Sequence, residues 1–203
     1  ILIGLVGSEM CIRDRMYTYT FAAAEYGVVT NLYAYVALVL IILTYGMETG
    51  FFRFANHDRW TDPGQVYTTS LLSLGFTSMV FIVAACWLSP EIAVWLDCPG
   101  HASYIWMMAI AVGVDAYTSI PFAYLRYKKK PLRFATLRLL NIAINIGLNL
   151  FFILACPAIW RSNPEWIGWF YNPSFGIGYI FLANLISSLA VLLMVVPEIL
   201  AEN

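Results

Sequence analysis

Seven residues able to carry charge or make directed hydrogen bonds sit inside stretches that are otherwise apolar: Glu48, Arg53, Asp115, Arg138, Asn141, Asn145 and Asn149. A lone polar group taken out of water costs about 2–7 kcal/mol, and an ionised one far more, so each needs a partner, water or a ligand. Asp115 is followed by Ser119 at i,i+4 on one helix face, and Pro121 frees a backbone carbonyl one turn back. A kink accounts for Pro121 but not for a carboxylate in mid-stretch, which makes Asp115 the leading functional candidate. Along RLLNIAINIGLNLFF, Arg138, Asn141, Asn145 and Asn149 fall within an arc of roughly 80° at 100° per residue. One asparagine is ordinary glue between helices. Three on one stripe below an arginine read instead as a wet wall, because carboxamides both donate to and accept from hydroxyls and pyrophosphate oxygens without a buried charge. In TYGMETGFFRF, Glu48 and Arg53 stand about 140° apart and do not form an i,i+4 pair. Arg53 lies near enough to the end of its stretch to snorkel into water, whereas Glu48 lies more than a turn deeper, where a helix-contact or functional role is favoured. Asn184, Ser187 and Ser188 read as small-residue helix packing.

The elements that position these side chains follow from composition. Of 203 residues, 61% are hydrophobic, 16% aromatic and 11% charged, against about 25% charged in soluble domains. A water-soluble enzyme, a nucleic-acid binder and a disordered tail are excluded; an all-α, polytopic transmembrane helix bundle is expected. Crossing a bilayer takes roughly 20 apolar residues per helix, and five windows qualify: about 28–52, 67–88, 104–125, 134–159 and 175–196. Turn-forming and proline-bearing breakers separate them, among them Asp62-Pro63-Gly64, Ser89-Pro90, Cys98-Pro99-Gly100, Pro131, Asn163-Pro164 and Asn172-Pro173. The runs lack the strict alternation of a membrane β-strand, so helices are the solution.

Charge distribution orients the bundle. With Arg13 and Arg15 of the opening segment set aside, Arg126, Lys128, Lys129, Lys130, Arg133 and Arg138 flank the connection between the third and fourth windows, Arg53 and Arg59 that between the first and second, and only Arg161 the opposite side. The positive-inside rule then places the 53–66 and 126–133 loops in the cytoplasm. The cationic loop RYKKKPLR reads as a topology determinant that also attracts anionic lipid headgroups. The outward loop carries Trp160, Trp166, Trp169, Phe170 and Tyr171, which read as an interfacial aromatic belt or, alternatively, as a sugar-stacking platform. Pro90 to Leu96 reads as a short interfacial helix. The four cysteines, Cys11, Cys86, Cys98 and Cys156, form no CxxC and have no histidine at zinc spacing. No P-loop, GxSxG, HExxH or catalytic dyad is present. No metal and no cofactor is implied. The opening ILIGLVGSEMCIRDR, residues 1–15, is too short to span and resembles a translated adaptor or assembly scar; it is expected to be non-native, leaving 16–203 as a partial N-terminal bundle.

The strings EYGVVTNLYAYVALVLIILTYGMETGFFRFAN and IPFAYLRYKKKPLRFATLRLLNIAINIGLNLFF resemble the polysaccharide-biosynthesis and oligosaccharide flippase branch of the multidrug/oligosaccharidyl-lipid/polysaccharide exporter superfamily. The resemblance covers about Met16 to Glu198. It implies a transporter of twelve to fourteen helices in two six-helix bundles around a central cavity, with MYTYTFAAAEYGVVT as the tail of its first helix and the five windows as helices two to six. It implies a lipid-linked glycan substrate, a bacterial inner membrane, alternating access with no covalent chemistry, and no nucleic-acid partner. Arg53, Arg138, Asn141, Asn145 and Asn149 would then face the substrate headgroup, while Glu48 and Asp115 would couple a cation (H+ or Na+) or form gating pairs. A cation-coupled drug exporter on the same fold is the nearest alternative, and a membrane glycosyltransferase or glycan polymerase a distant one. The latter would need catalytic residues in outward loops that hold only Glu91, Asp97, His101, Arg161 and Glu165.

Overall fold

In hydrocarbon every backbone N–H and C=O must find its partner within the chain, and a helix does this segment by segment. The computed structural model describes residues 15, 17, 18, 20, 23–56, 63–95, 102–162, 171, 172 and 175–200, and no strand occurs among them. The elements are α1 (Ala23–Thr44), α2 (Met47–Ala55), α3 (Pro63–Trp87), α4 (Ser89–Trp95), α5 (Ala102–Tyr127), α6 (Pro131–Leu150), a π-turn (Phe151–Ala155), α7 (Cys156–Ser162) and α8 (Gly178–Leu200). Five stretches are long and apolar enough to cross a membrane: Tyr26–Ala55, Pro63–Trp87, Ala102–Tyr127, Pro131–Arg161 and Gly178–Pro197. The protein is a multi-pass membrane helix bundle. The segment 1–15 apart from Arg15, and with it Cys11, Arg59, Asp62, Asp97, Cys98, His101, Glu165, Trp166, Trp169 and Phe170, lies outside the described residues.

Helix α5 is the hub and the most buried of the spans; it packs against α3, α8 and α1, and its C-terminal half also against α2. One face of α5 reaches α3 through small residues. A Cβ built on Gly113 would stand 2.6 Å from both Cδ1 and Cγ1 of Ile82, and one built on Gly75 would stand 3.1 Å from the Tyr117 ring. Backbones can come this close because a glycine carries no side chain to hold them apart. Tyr67 stacks on Tyr124 at 4.3 Å between ring centroids at one end of the same interface, beside Phe51. At the other end, Tyr17 is buried with Val29, Leu32, Tyr104, Ile180 and Phe181. The outward surfaces are lipid-like: Ile42 is 74% exposed and Phe76 72%, which suits hydrocarbon as solvent.

Two spans depart from a continuous α-helix, where the sequence predicts unbroken windows. The first stops after Thr44, as Tyr45 (φ 33°) and Gly46 (φ 70°) take left-handed conformations. Glycine adopts this readily, but for tyrosine it costs about 1–2 kcal/mol. The Tyr45 hydroxyl lies 3.0 Å from Ser73 Oγ on α3, and the helix restarts with the Gly50 N–H donating to Gly46 O at 3.0 Å. The fourth span contains the π-turn, which ends two residues before Pro157. Proline offers no N–H to the Ile153 carbonyl and its ring crowds that oxygen, so a wider turn relieves the clash. The turn also serves packing. Leu148, Phe152, Cys156 and Trp160 all join the cluster around Tyr171, Tyr179 and Ala183, although a spacing of four drifts about 40° per step on an α-helix. The wider turn absorbs that drift. Ser89–Trp95 forms the short helix read from the sequence.

The α3–α5 contact should not tolerate a branched side chain at its closest point. Gly113→Val is expected to destabilise the bundle by about 1–3 kcal/mol through overpacking, read as a lowered midpoint when the detergent-solubilised protein is heated and assayed by size exclusion. An unchanged midpoint would refute the close packing.

Candidate functional site

Five helices, from four of the spans, line a cavity of about 580 Å³, within the roughly 300–1,000 Å³ range of small-ligand sites. Helix α5 supplies Asp115, Thr118, Ser119, Phe122 and Arg126, whose offsets of 0, 3, 4, 7 and 11 residues keep them within about 100° of arc. Helix α6 supplies Phe134, Arg138, Asn141, Ile142 and Asn145, and α8 supplies Asn184, Ser188 and Val191. Leu40, Ile41, Thr44 and Glu48 straddle the break in the first span. The wall therefore mixes two guanidinium groups, two carboxylates, amides, hydroxyls and two aromatic rings.

The mouth and the floor differ. At the mouth, Arg126 donates from Nη2 to Glu48 Oε1 at 2.5 Å, with the two side chains 39% and 40% exposed. The Arg126 guanidinium also lies over the Phe52 ring at 5.6 Å and the Phe134 ring at 5.2 Å, positions in which a cation is attracted to the ring face. Arg138 is exposed one turn beyond Phe134. Deeper in, the Asp115 carboxylate shares the wall with Ser188 and Arg138. Ser119 Oγ is buried without a hydrogen-bond partner among the described residues.

The floor is a chain of amides. Asn145 Nδ2 donates to Asn184 Oδ1 at 3.2 Å, joining α6 to α8. Asn149 Nδ2 donates to the Asn145 backbone O at 2.8 Å and to its Oδ1 at 3.0 Å. The Tyr17 hydroxyl donates to Asn149 Oδ1 at 2.9 Å. Asn141 accepts from Ser187 Oγ through both its backbone and its side-chain oxygen. The asparagine stripe thus divides: Asn141 and Asn145 face the cavity while also tying helices together, and Asn149, 1% exposed, is consumed in the seal beneath.

Of the residues singled out from the sequence, Glu48, Asp115, Arg138, Asn141 and Asn145 share the cavity wall. Arg53 does not. It is exposed on α2, and the second arginine of the wall is Arg126. In the sequence Arg126 reads as one charge of the cationic loop; its i,i+11 spacing from Asp115, on a helix that continues to Tyr127, puts it on the cavity face. Asn184 and Ser188, read as packing residues, also line the wall, at i,i+4 on α8. In the aromatic group of the fourth connection, Tyr171 is 8% exposed and stacks on Tyr179 at 5.1 Å, with Trp160 tilted against it at 6.0 Å. The faces of Tyr171 are engaged by protein, which leaves no open platform at that residue.

A family model described as polysaccharide biosynthesis protein matches residues 21–161. That match spans α1 to α7 with their share of the cavity wall, and ends before α8. No curated protein and no solved structure matches the chain.

Two outcomes follow from the geometry. Asn149→Ala should lower stability by about 1–2 kcal/mol through the loss of its bond to Tyr17 and of its bonds to Asn145 within α6, measured as a fall in thermal midpoint in detergent. In a background freed of native cysteines, Asn141→Cys should react with a water-soluble thiol reagent, whereas Met107→Cys, at a position 1% exposed beyond the amide floor, should not; equal labelling of both would show that the cavity has no floor.

Proposed function

The chain belongs to the polysaccharide biosynthesis protein family, and from that premise we propose that it translocates lipid-linked oligosaccharide or polysaccharide precursors across the bacterial inner membrane by alternating access. The observation that carries this reading is the polar cavity inside a membrane-spanning bundle, with Arg126 and Arg138 above amides and hydroxyls. A phosphate-bearing sugar headgroup needs both: guanidinium forks match phosphate oxygens, and amides satisfy hydroxyls without adding charge. A lipid tail needs neither and stays in hydrocarbon. Translocation needs no covalent step from these residues.

The positive-inside rule supports a cytoplasmic placement of the 53–66 and 126–133 loops. Arg126 and Glu48 then mark a mouth facing the cytoplasm, where precursors are assembled, and the amide floor with the Tyr17 cluster beyond it is the closed outer side. This segment would be one half of a rocking pair, its cavity face turned to a second bundle. Asp115, in the wall with Ser188 and Arg138, is the position for coupling to H+ or Na+, because neutralising its charge changes the balance at mid-span. A drug exporter on the same fold is favoured by one observation, the pairing of carboxylates with Phe122 and Phe134 in the wall. Glu48 is already engaged by Arg126, however, which leaves Asp115 as the remaining acidic group for a cationic drug.

The test is export of lipid-linked glycan in cells and flipping in proteoliposomes. Arg138→Gln and the Asn141→Ala/Asn145→Ala pair should each reduce headgroup transport by about tenfold or more, the scale of one or two lost charge-assisted hydrogen bonds. Asp115→Asn should abolish dependence on the cation gradient. Unchanged glycan export in all of these, with altered drug resistance, would overturn the reading in favour of a drug exporter.

A further inference from the structure

The Glu48–Arg126 pair joins residues 78 positions apart across the cavity mouth. Three features make it more than a surface ion pair. First, the Arg126 guanidinium also lies over the rings of Phe52 and Phe134, so the mouth holds it by contacts besides its acidic partner. Second, a carboxylate and a phosphate present the same oxygens to the same guanidinium donors. Third, Glu48 stands on the most yielding backbone of the first span. It lies between Gly46, at φ 70° behind the left-handed Tyr45, and Gly50, whose Cα has no atom within contact distance of an added Cβ. Phe51, one residue further on and 1% exposed, is anchored against Tyr124 and Tyr127. Met47, on the other side of Glu48, packs against the same cluster, so the part of the turn left to move is Glu48–Gly50, between two anchored residues and next to two glycines.

We infer that Glu48 occupies on Arg126 the position of a ligand phosphate, and that a phosphorylated headgroup displaces it, turning the Glu48–Gly50 segment away from the mouth. This deepens the proposed function and rests on it for the identity of the headgroup. Because both partners of the pair are well exposed, its net stabilisation is small, and a phosphate, with more charge than a carboxylate, competes effectively for the same donors. The exchange couples occupancy of the cavity to the shape of its entrance: an empty site keeps its cation neutralised, and a loaded one releases the segment.

The experiment uses the full chain in phosphatidylcholine nanodiscs, with trifluoromethyl-phenylalanine incorporated in place of the exposed Thr49, inorganic pyrophosphate as probe, and fluorine and phosphorus magnetic resonance as readouts. Pyrophosphate should move the fluorine resonance saturably. Glu48→Gln should place that resonance at the shifted position without ligand, show no further movement on titration, and bind pyrophosphate about threefold more tightly, the equivalent of a weak exposed pair. Arg126→Gln should lose the pyrophosphate response. The parent protein tests the exchange without any change at the pair, so poor folding of a variant does not leave it unanswered. Saturable phosphorus broadening with a stationary fluorine resonance would overturn the exchange and leave the headgroup reading standing. Neither response would overturn both. A shift on adding phosphatidylglycerol to the nanodisc, without pyrophosphate, would support the exchange and identify a bilayer headgroup as the source of the phosphate.

Discussion

A polar side chain inside a bilayer has no water to fall back on, and Asn149 shows how this chain meets that constraint. Its amide is enclosed to 1% exposure and is met by Tyr17 on one side and Asn145 on the other. Asn145 passes the chain of bonds on to Asn184. Three segments distant in sequence are thereby fixed at one depth. Above that depth the helices part and water-loving groups line a space; below it the aromatic and aliphatic cluster around Tyr104 and Phe181 closes the bundle. Individual hydrogen bonds of this kind contribute modestly in membranes, so it is their geometry rather than their strength that decides where the cavity ends.

Helix α5 has to serve two opposite demands, and its sequence separates them by face. Toward α3 it presents Gly113, small enough for near contact with Ile82, and Tyr117, laid over Gly75. Toward the cavity it presents Asp115, Ser119, Phe122 and Arg126. The tight face holds the wet face in place. Without the close α3 contact, nothing rigid would set the distance from Arg126 to the Glu48 turn or from Asp115 to Ser188. The polysaccharide biosynthesis match runs through this helix and the α6 stripe that faces it, so the family sequence and the cavity coincide over most of the wall.

Much of this was readable in the amino-acid order. The length of the apolar runs and the breakers between them dictate five spanning helices, since hydrocarbon admits no other open-chain solution. The shared face of Arg138, Asn141 and Asn145 was legible because helical period alone decides it. Arg126 was hidden by its neighbours: in RYKKKPLR it reads as one charge of a block, and only the continuation of α5 to Tyr127 puts it on the Asp115 face. Arg53 illustrates the converse, for it has the right charge and an eligible depth, but its angle around α2 is set by the break at Tyr45-Gly46. Gly46 is a weak stop signal inside a run long and apolar enough to read as one span, and the left-handed Tyr45 beside it, whose hydroxyl meets Ser73, is a tertiary matter that local sequence does not give.

The π-turn at Phe151–Ala155 divides the fourth span into two rotational frames. An α-helix locks every side chain to every other by a fixed angle, so a change that improves one end turns the other out of place. A turn holding one additional residue resets that angle by about 100°. The cavity stripe before it and the aromatic row through Cys156 and Trp160 beyond it can then be fitted to different neighbours. Gain or loss of a single residue at this turn, which elsewhere in a spanning helix would scramble a whole face, would re-aim only the outer end and leave Arg138, Asn141 and Asn145 where they are.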